Sequence, residues 1–360
     1  MKIQEIDKHL AVNTDITEPD MVWFNAREYP FTIHGVMYDE DLKRYTRFPM
    51  EVAKTVSKAV EVLNTNTSGG RVRFKTDSSY IAIRSVMEAE QEFAHMSYAG
   101  SAGFDMYRNL DGRETYFNTF VPPLTMKEGY SGGIKTYGEL TDYTINFPLY
   151  DGVCELYIGL KKGATLDVAT PYEHSTPIVF YGNSITQGGY ASRPGNSYQG
   201  FLSRRLSTDF INLGFSGAGK GEQEMAEYIA GLDMSILFMD YDANSPTEET
   251  LRATHYPFYK TVRDSNPDIP IIFMSHIGAL HGVDISQLSV WGSADVRRGI
   301  IEETYLRAKA EGDNNVYFID GKEVLKGEEW DACTVDGCHP NDFGFLRIAQ
   351  YLEKILKPLL

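Results

Sequence analysis

The chain has 360 residues, more than a single typical hydrophobic core contains, so two domains are expected. It carries 34 basic and 50 acidic side chains, and the formal charge of −16 disfavours binding to nucleic acid or to an anionic membrane surface. No apolar run reaches the length of a signal peptide core or a membrane span. A cytoplasmic protein is therefore the default expectation, although a trimmed exported form would look the same.

Residues 1–172 are rich in short runs in which apolar and polar side chains alternate, separated by Gly, Asn, Asp and Ser. This pattern predicts antiparallel strands, and its spacing favours an all-β sandwich or jelly roll. The main runs lie at 71–74, 80–84, 143–147 and 154–159. Only residues 50–63 have a competing helical pattern.

From residue 173 onward the pattern changes to short apolar strands alternating with helical stretches. This alternation predicts an α/β domain in which helices cover both faces of a five-stranded parallel sheet. Ser245 and Pro246 predict the start of one helix, which we expect to continue to about residue 263. The last helix is expected over about 341–357. The five strands are predicted at 178–181, 210–213, 236–239, 271–274 and 316–319.

A candidate site residue follows each of the first three strands within a few positions: Ser184, Gly217 and Asn244. Ligands of open α/β sheets gather beyond the carboxyl ends of the strands, so these residues should lie close together. Near the end of the chain, Asp336 precedes His339 by three residues, and Pro340 keeps the histidine in a loop before the last helix.

Serine needs a neighbouring base to become a nucleophile, and histidine titrates near neutral pH. We therefore predict Ser184 as nucleophile, His339 as base and Asp336 as the carboxylate that orients the imidazole. The backbone N–H groups of Ser184 and Gly217 and the amide of Asn244 would bind the oxyanion. No metal or other cofactor is expected.

These blocks, beginning with Gly182-Asn183-Ser184-Ile185-Thr186 and ending with Asp336-Gly337-Cys338-His339-Pro340, resemble those of the SGNH, or GDSL-like, hydrolase superfamily. Gly103-Phe104-Asp105-Met106-Tyr107 is similar to the Gly-x-Asp-Leu-Tyr signature of one branch, with Met106 in place of leucine. The resemblance implies a flavodoxin-like hydrolase domain behind a β-sandwich, and metal-free hydrolysis of esters, often of acylated carbohydrates. Asn183 and the block Asp240-Tyr241-Asp242-Ala243-Asn244 depart from the usual pattern.

Gly103, Asp105 and Tyr107 are interpreted as a structural corner of the sandwich. The long stretch after the fourth strand, where loops often line binding sites, makes His276, His281 and Trp291 candidate cleft residues. The three cysteines, Cys154, Cys333 and Cys338, are expected to be buried or free thiols. A local Cys333–Cys338 disulfide remains open if the protein is exported, and a zinc site with His339 is disfavoured for want of a fourth ligand.

The predicted activity is hydrolysis of short-chain, mainly acetyl, esters of sugars through an acyl-enzyme. Acyl transfer by the same residues and a noncatalytic carbohydrate-binding protein remain alternatives, and copies of the chain could associate through the sandwich. A nucleotide-binding P-loop at 214–220 is disfavoured because Gly221 stands where Ser or Thr would hold Mg²⁺.

Overall fold

A computed structural model describes residues 3–7, 11, 12, 14, 16–88, 93–277 and 294–360. Its first part is an antiparallel β-sandwich, and its second part is an α/β domain, as predicted. A short helix, α1 (Ile3–Ile6), precedes the first strand. The described part contains no helix long and apolar enough to cross a membrane.

The sandwich consists of two antiparallel sheets and a small hairpin. One sheet has the strand order β1-β11-β6-β9; the other has the order β12-β5-β10-β7-β8, with β2 paired to β5, and β3 pairs with β4. Helices α2 (Met50–Val56), α3 (Lys58–Leu63) and α4 (Tyr98–Ser101) lie between strands. The strands are β1 (Met21–Asn25), β2 (Thr32–His34), β3 (Met37–Asp39), β4 (Arg44–Thr46), β5 (Arg71–Thr76), β6 (Tyr80–Glu88), β7 (Phe104–Leu110), β8 (Arg113–Phe120), β9 (Ser131–Lys135), β10 (Thr141–Asn146), β11 (Gly152–Lys161) and β12 (Leu166–Asp167).

Buried apolar side chains at alternate positions of the strands explain how the two sheets share one core. On β6, Ile81 and Ile83 are buried, and on β7 Phe104 and Met106 are buried; all four belong to the same apolar cluster. Because successive side chains of a strand point to opposite faces, Asp105 and Tyr107 lie on the other face of β7.

The second part contains a parallel sheet of order β14-β13-β15-β16-β17, with helices between the strands. This is the flavodoxin-like order 2-1-3-4-5, in which ligands bind where the strand order reverses, between the first and third strands. The elements are β13 (His174–Gly182), α5 (Ser184–Gln187), α6 (Tyr198–Leu206), β14 (Thr208–Gly214), α7 (Gln223–Ala230), β15 (Ile236–Asp240), α8 (Glu248–Ser265), β16 (Ile271–Met274), α9 (Ala294–Ala310), β17 (Val316–Ile319), α10 (Gly321–Val324) and α11 (Asp342–Leu356).

Two apolar cores cover the faces of the parallel sheet, one with α7, α8 and α9 and the other with α6 and α11. Met50 and Ala53 of α2 and Val60 of α3 belong to the first core, although they precede residue 172 in the sequence. The first part of the chain therefore contributes to the core of the second. The division at residue 172 stays a prediction.

The structure corrects two helix boundaries. The predicted N-cap Ser245 is wrong: α8 begins at Glu248, and the Thr247 side chain caps it by accepting a hydrogen bond from the Thr250 N–H. Proline at position 246 therefore lies outside the helix and not in its first turn. The helical pattern at 50–63 is interrupted, because Ser57 has an extended backbone and caps α3.

Candidate active site

Ser184, His339 and Asp336 form a continuous hydrogen-bonded chain. The Ser184 Oγ lies 2.8 Å from His339 Nε2, and His339 Nδ1 lies 2.8 Å from Asp336 Oδ2. Serine and histidine are 155 residues apart in sequence. They meet because Ser184 follows β13 at the position where the strand order reverses, while His339 lies in the loop before α11. Such an arrangement lets the imidazole accept the serine proton.

A tight turn fixes the imidazole. The Asp336 Oδ1 accepts hydrogen bonds from the backbone N–H of Cys338 at 3.0 Å and of His339 at 2.7 Å. Burial raises the pKa of Asp336, but these bonds and the one from the imidazole outweigh burial and hold the net pKa below the ordinary carboxyl value. Asp336 is therefore ionised at neutral pH, and it favours the tautomer in which His339 Nδ1 carries the proton and Nε2 accepts one.

The Ser184 turn is a single helical turn, α5, held at both ends. At its start, the Asn183 side chain accepts hydrogen bonds from the backbone N–H groups of Ile185 and Thr186. At its end, Gly188 adopts a left-handed conformation with φ of 100°, which glycine adopts without steric cost. The predicted nucleophile therefore lies at the first position of a short, capped turn.

Asn183 departs from the usual pattern of the family that the sequence resembles, and the structure gives a physical reason for the amide. Its Nδ2 donates a 3.3 Å hydrogen bond to Oδ1 of Asp240, which is fully buried. Burial raises the pKa of Asp240 well above its ordinary value, and the nearby Asp242 raises it further. A carboxylate at position 183 would face another carboxyl group without water to separate them, at a cost that the amide avoids.

The sheet register brings the ends of the three strands that precede the predicted oxyanion donors to one level. The last residues of β14, β13 and β15 lie side by side; they are Gly214, Gly182 and Asp240, respectively. Among the described residues, no backbone or side-chain acceptor is recorded for the N–H of Ser184 or of Gly217. Gly217 has a φ of 68°, and the space where a Cβ would stand is open within 4 Å. Both N–H groups therefore remain available for a ligand.

Asn244 is buried, and its Nδ2 donates a 2.9 Å hydrogen bond to the carbonyl oxygen of Phe215. One of its two amide hydrogens is thus used to hold the loop that carries Gly217. The second amide hydrogen takes no part in that bond and can be donated to a ligand.

Gln187 joins the nucleophile turn to this loop and to the sandwich. Its Oε1 accepts from the Ser216 N–H at 2.9 Å, and its Nε2 donates to Asn66 Oδ1 at 3.1 Å and to the Leu149 carbonyl at 3.3 Å. The sequence pattern predicted no role for this glutamine. The side chain lies at the end of α5 and is fully buried, so it fixes three segments relative to one another.

His276, a predicted cleft residue, lies beside the predicted triad. Its Nε2 is 4.0 Å from Cys338 Sγ, and its backbone N–H donates to Asp242 Oδ2 at 2.9 Å. Burial lowers the pKa of His276, which keeps it neutral at physiological pH. Tyr190, which sequence reasoning missed, packs its ring against the His339 imidazole at 4.6 Å between centroids. The other two predicted cleft residues, His281 and Trp291, lie outside the described residues.

Cys154, Cys333 and Cys338 are all free thiols. Within the described ranges, no cluster of three or more His, Cys, Asp or Glu residues could hold a metal ion. Apart from that of Gly217, the N–H groups of the glycine-rich loop at 214–221 have acceptors within the protein. Those of Ala218 and Gly219 donate to Phe215, and that of Lys220 donates to the Glu222 carboxylate, so this loop has no phosphate cradle.

Two family models match the chain. The GDSL-like Lipase/Acylhydrolase family matches residues 175–357, and the model for the N-terminus of Esterase_SGNH_hydro-type proteins, GxDLY, matches residues 21–166. The chain belongs to the GDSL-like lipase/acylhydrolase family. The comparison with curated proteins gives no match.

Solved structures agree with this family assignment. A protein from Bacteroides ovatus ATCC 8483 described as a GDSL-like lipase has a TM-score of 0.83 and 26% identity, with 94% of this chain and 98% of that chain covered. Salicylyl-acyltransferase SsfX3 from a tetracycline biosynthetic pathway has a TM-score of 0.76 and 19% identity, with coverage of 95% and 98%. A family two carbohydrate esterase from Cellvibrio japonicus has a TM-score of 0.57 and 13% identity, with coverage of 94% and 98%. The last two share the fold of this GDSL-like chain.

Proposed function

We propose that this protein is a serine esterase that hydrolyses short-chain, mainly acetyl, esters of carbohydrates. The observation that carries the proposal is the 2.8 Å distance from Ser184 Oγ to His339 Nε2, with Asp336 on the opposite ring nitrogen. Membership of the GDSL-like lipase/acylhydrolase family supports ester chemistry.

The proposed reaction has two steps. His339 Nε2 takes the Ser184 proton as Oγ attacks the ester carbonyl, and the N–H groups of Ser184 and Gly217 with the Asn244 amide receive the oxyanion. His339 then gives the proton to the leaving alcohol, which departs and leaves an acyl-serine. Water, deprotonated by His339, attacks this acyl group and releases the acid.

Carbohydrate substrates are favoured by the fold shared with a family two carbohydrate esterase and by the chain's formal charge of −16, which suits a neutral substrate. The similar acyltransferase makes capture of the acyl group by an alcohol the competing outcome.

The test compares wild type with Ser184→Ala on p-nitrophenyl acetate, butyrate and octanoate and on acetylated sugars. We expect Ser184→Ala to lose at least about a thousandfold in kcat with its fold intact, because the triad acts as a unit. Ser79→Ala is a matched control, since Ser79 is an exposed serine of the sandwich. Activity of Ser184→Ala within tenfold of wild type would refute the proposal.

The same assay separates the reaction classes. Hydrolysis releases free acetate whether or not a sugar alcohol is present. If acyl transfer dominates, added sugar alcohol would be acetylated and acetate release would fall correspondingly. Preference for octanoate over acetate would contradict the proposed acyl length.

A further inference from the structure

We propose that Asp105, in the sandwich, is a positioning residue for the base His339. It would act through the segment 188–197, which links α5 to α6 and passes between the two domains. The proposal rests on the proposed function only in taking Ser184 and His339 as the reacting pair. Sequence reasoning had interpreted Asp105 as a corner of the sandwich.

Asp105 lies on β7 and is fully buried, on the strand face opposite Phe104 and Met106. Its Oδ1 accepts a 2.8 Å hydrogen bond from Asn146 Nδ2 on the neighbouring strand. Its Oδ2 accepts from Arg193 Nη1 at 2.9 Å and from the Gly195 backbone N–H at 2.9 Å. A buried carboxylate of the sandwich therefore binds two donors of the hydrolase domain, one of them charged.

Tyr107, two residues further along β7, strengthens this contact. Its hydroxyl accepts a hydrogen bond from Arg193 Nη1. At Gly195, an added Cβ would stand 2.5 Å from the Tyr107 ring and hydroxyl, so glycine is needed for this close approach. Asp105 and Tyr107 thus fix both the position and the conformation of the segment.

The same segment contacts the His339 loop in two places. The Tyr190 ring meets the imidazole edge-on, and Tyr190 has a φ of 74°, a left-handed backbone that its surroundings must maintain. Ser192 donates from its N–H to Asp342 Oδ1 at 2.8 Å and from its hydroxyl to the other carboxylate oxygen. Asp342 begins α11, three residues after His339.

A continuous set of contacts therefore leads from Asp105 through Arg193 and Gly195 to Tyr190 and Ser192, and from them to the imidazole and to the start of α11. Loss of the Asp105 carboxylate leaves the Arg193 guanidinium and the Gly195 N–H without this buried acceptor. The segment would then relax, and displacement of a catalytic group by about 1 Å can cost about a hundredfold in rate.

A purely structural role for Asp105 would lower stability without changing the chemistry of folded molecules. Asp209 provides the matched control, because it also joins the two domains through an arginine. Its carboxylate pairs with Arg71 of β5 and, at 2.7 Å, with His34 of β2. Asp209 is the second residue of β14, whereas the oxyanion loop follows the other end of that strand, about 16 Å away at 3.3 Å per residue.

The experiment measures kcat and KM for p-nitrophenyl acetate and the rate at which a fluorophosphonate labels Ser184, at a temperature where every variant is folded. We expect Asp105→Ala to lower kcat and the labelling rate by about ten- to a hundredfold with KM changed less than about threefold. Asp105→Asn keeps one oxygen for Arg193 or Gly195 and should recover part of the loss. Asp209→Asn should keep the wild-type kcat even if its unfolding temperature falls.

If Asp105→Ala does not fold, Asp105→Asn and Arg193→Lys answer the same question. Equal kcat and labelling rates in folded Asp105 variants and wild type would overturn the inference, as would an equal loss in Asp209→Asn. Absence of labelling at Ser184 in wild type would instead refute the proposed function. The two failures are therefore distinguishable.

Discussion

Replacing Asp336 by asparagine tests whether the carboxylate selects the reactive tautomer of His339. The asparagine oxygen can still accept from the N–H groups of Cys338 and His339, which now bond to Asp336 Oδ1 at 3.0 and 2.7 Å. The amide nitrogen then faces His339 Nδ1, where the Oδ2 atom now lies at 2.8 Å. A protonated Nδ1 and the amide nitrogen would both be donors facing each other, so the imidazole takes the tautomer in which Nδ1 has no proton. Nε2 then carries the ring proton and cannot accept the proton of Ser184.

Loss of the correct tautomer costs about ten-thousandfold in the best-known serine hydrolase triads. The Asp336 side chain is 28% exposed, so water relieves part of the mismatch, and we expect a fall in kcat of about 10³- to 10⁴-fold. This corresponds to about 4 to 5.5 kcal/mol of barrier. Stability at neutral pH should fall by the part that the Asp336 charge contributes, while the turn keeps its backbone hydrogen bonds. Asp336→Ala, which loses them, should lose both activity and stability.

The assay is p-nitrophenyl acetate hydrolysis at saturating substrate, with chemical unfolding measured on the same samples. The pKa of Asp336 is lowered by folding, so its contribution to stability is present above the unfolded value and is lost as pH falls through the folded one. The stability of Asp336→Asn should not show this fall at acid pH. A kcat within tenfold of wild type, with the fold intact, would refute the tautomer role.

Two further predictions concern the neighbouring buried groups. Burial, with the charge of Asp336 adding to it, raises the pKa of the Cys338 thiol to about 11. The thiolate fraction of Cys338 at pH 8 is then about two-hundredfold below that of an ordinary thiol of pKa about 8.5. Iodoacetamide should therefore alkylate Cys338 about two-hundredfold faster in urea than in the folded protein, as mass spectrometry of its peptide can measure, and equal rates would contradict this. Burial raises the pKa of Asp240, so the contribution of Asp240 to stability should fall as pH rises above about 4. Asp240→Asn should consequently gain in melting temperature relative to wild type between pH 4 and pH 8, and a difference independent of pH would count against a protonated Asp240.

The parallel sheet could be predicted closely because its signal is local. The strands predicted at 271–274 and 316–319 coincide with β16 and β17, since a buried strand is a continuous apolar run bounded by turn residues. The last helix begins with Asn341 as its cap, as expected for an asparagine before an apolar periodic run. The start of α8 was predicted wrongly because Ser245 and Thr247 are both acceptable caps, and the choice between them depends on the preceding loop.

Local pattern and chain order alone identified Ser184, Asp336 and His339 as candidates, because a strand end and a carboxylate three residues before a histidine are visible in the sequence. Their meeting at one point depends on the order and register of the parallel strands. Gln187, Tyr190 and the pairing of Asp105 with Arg193 had no local signal. Asp105 and Arg193 are 88 residues apart, and only the packing of the sandwich against the hydrolase domain, which buries the Asp105 carboxylate completely, makes each the partner of the other.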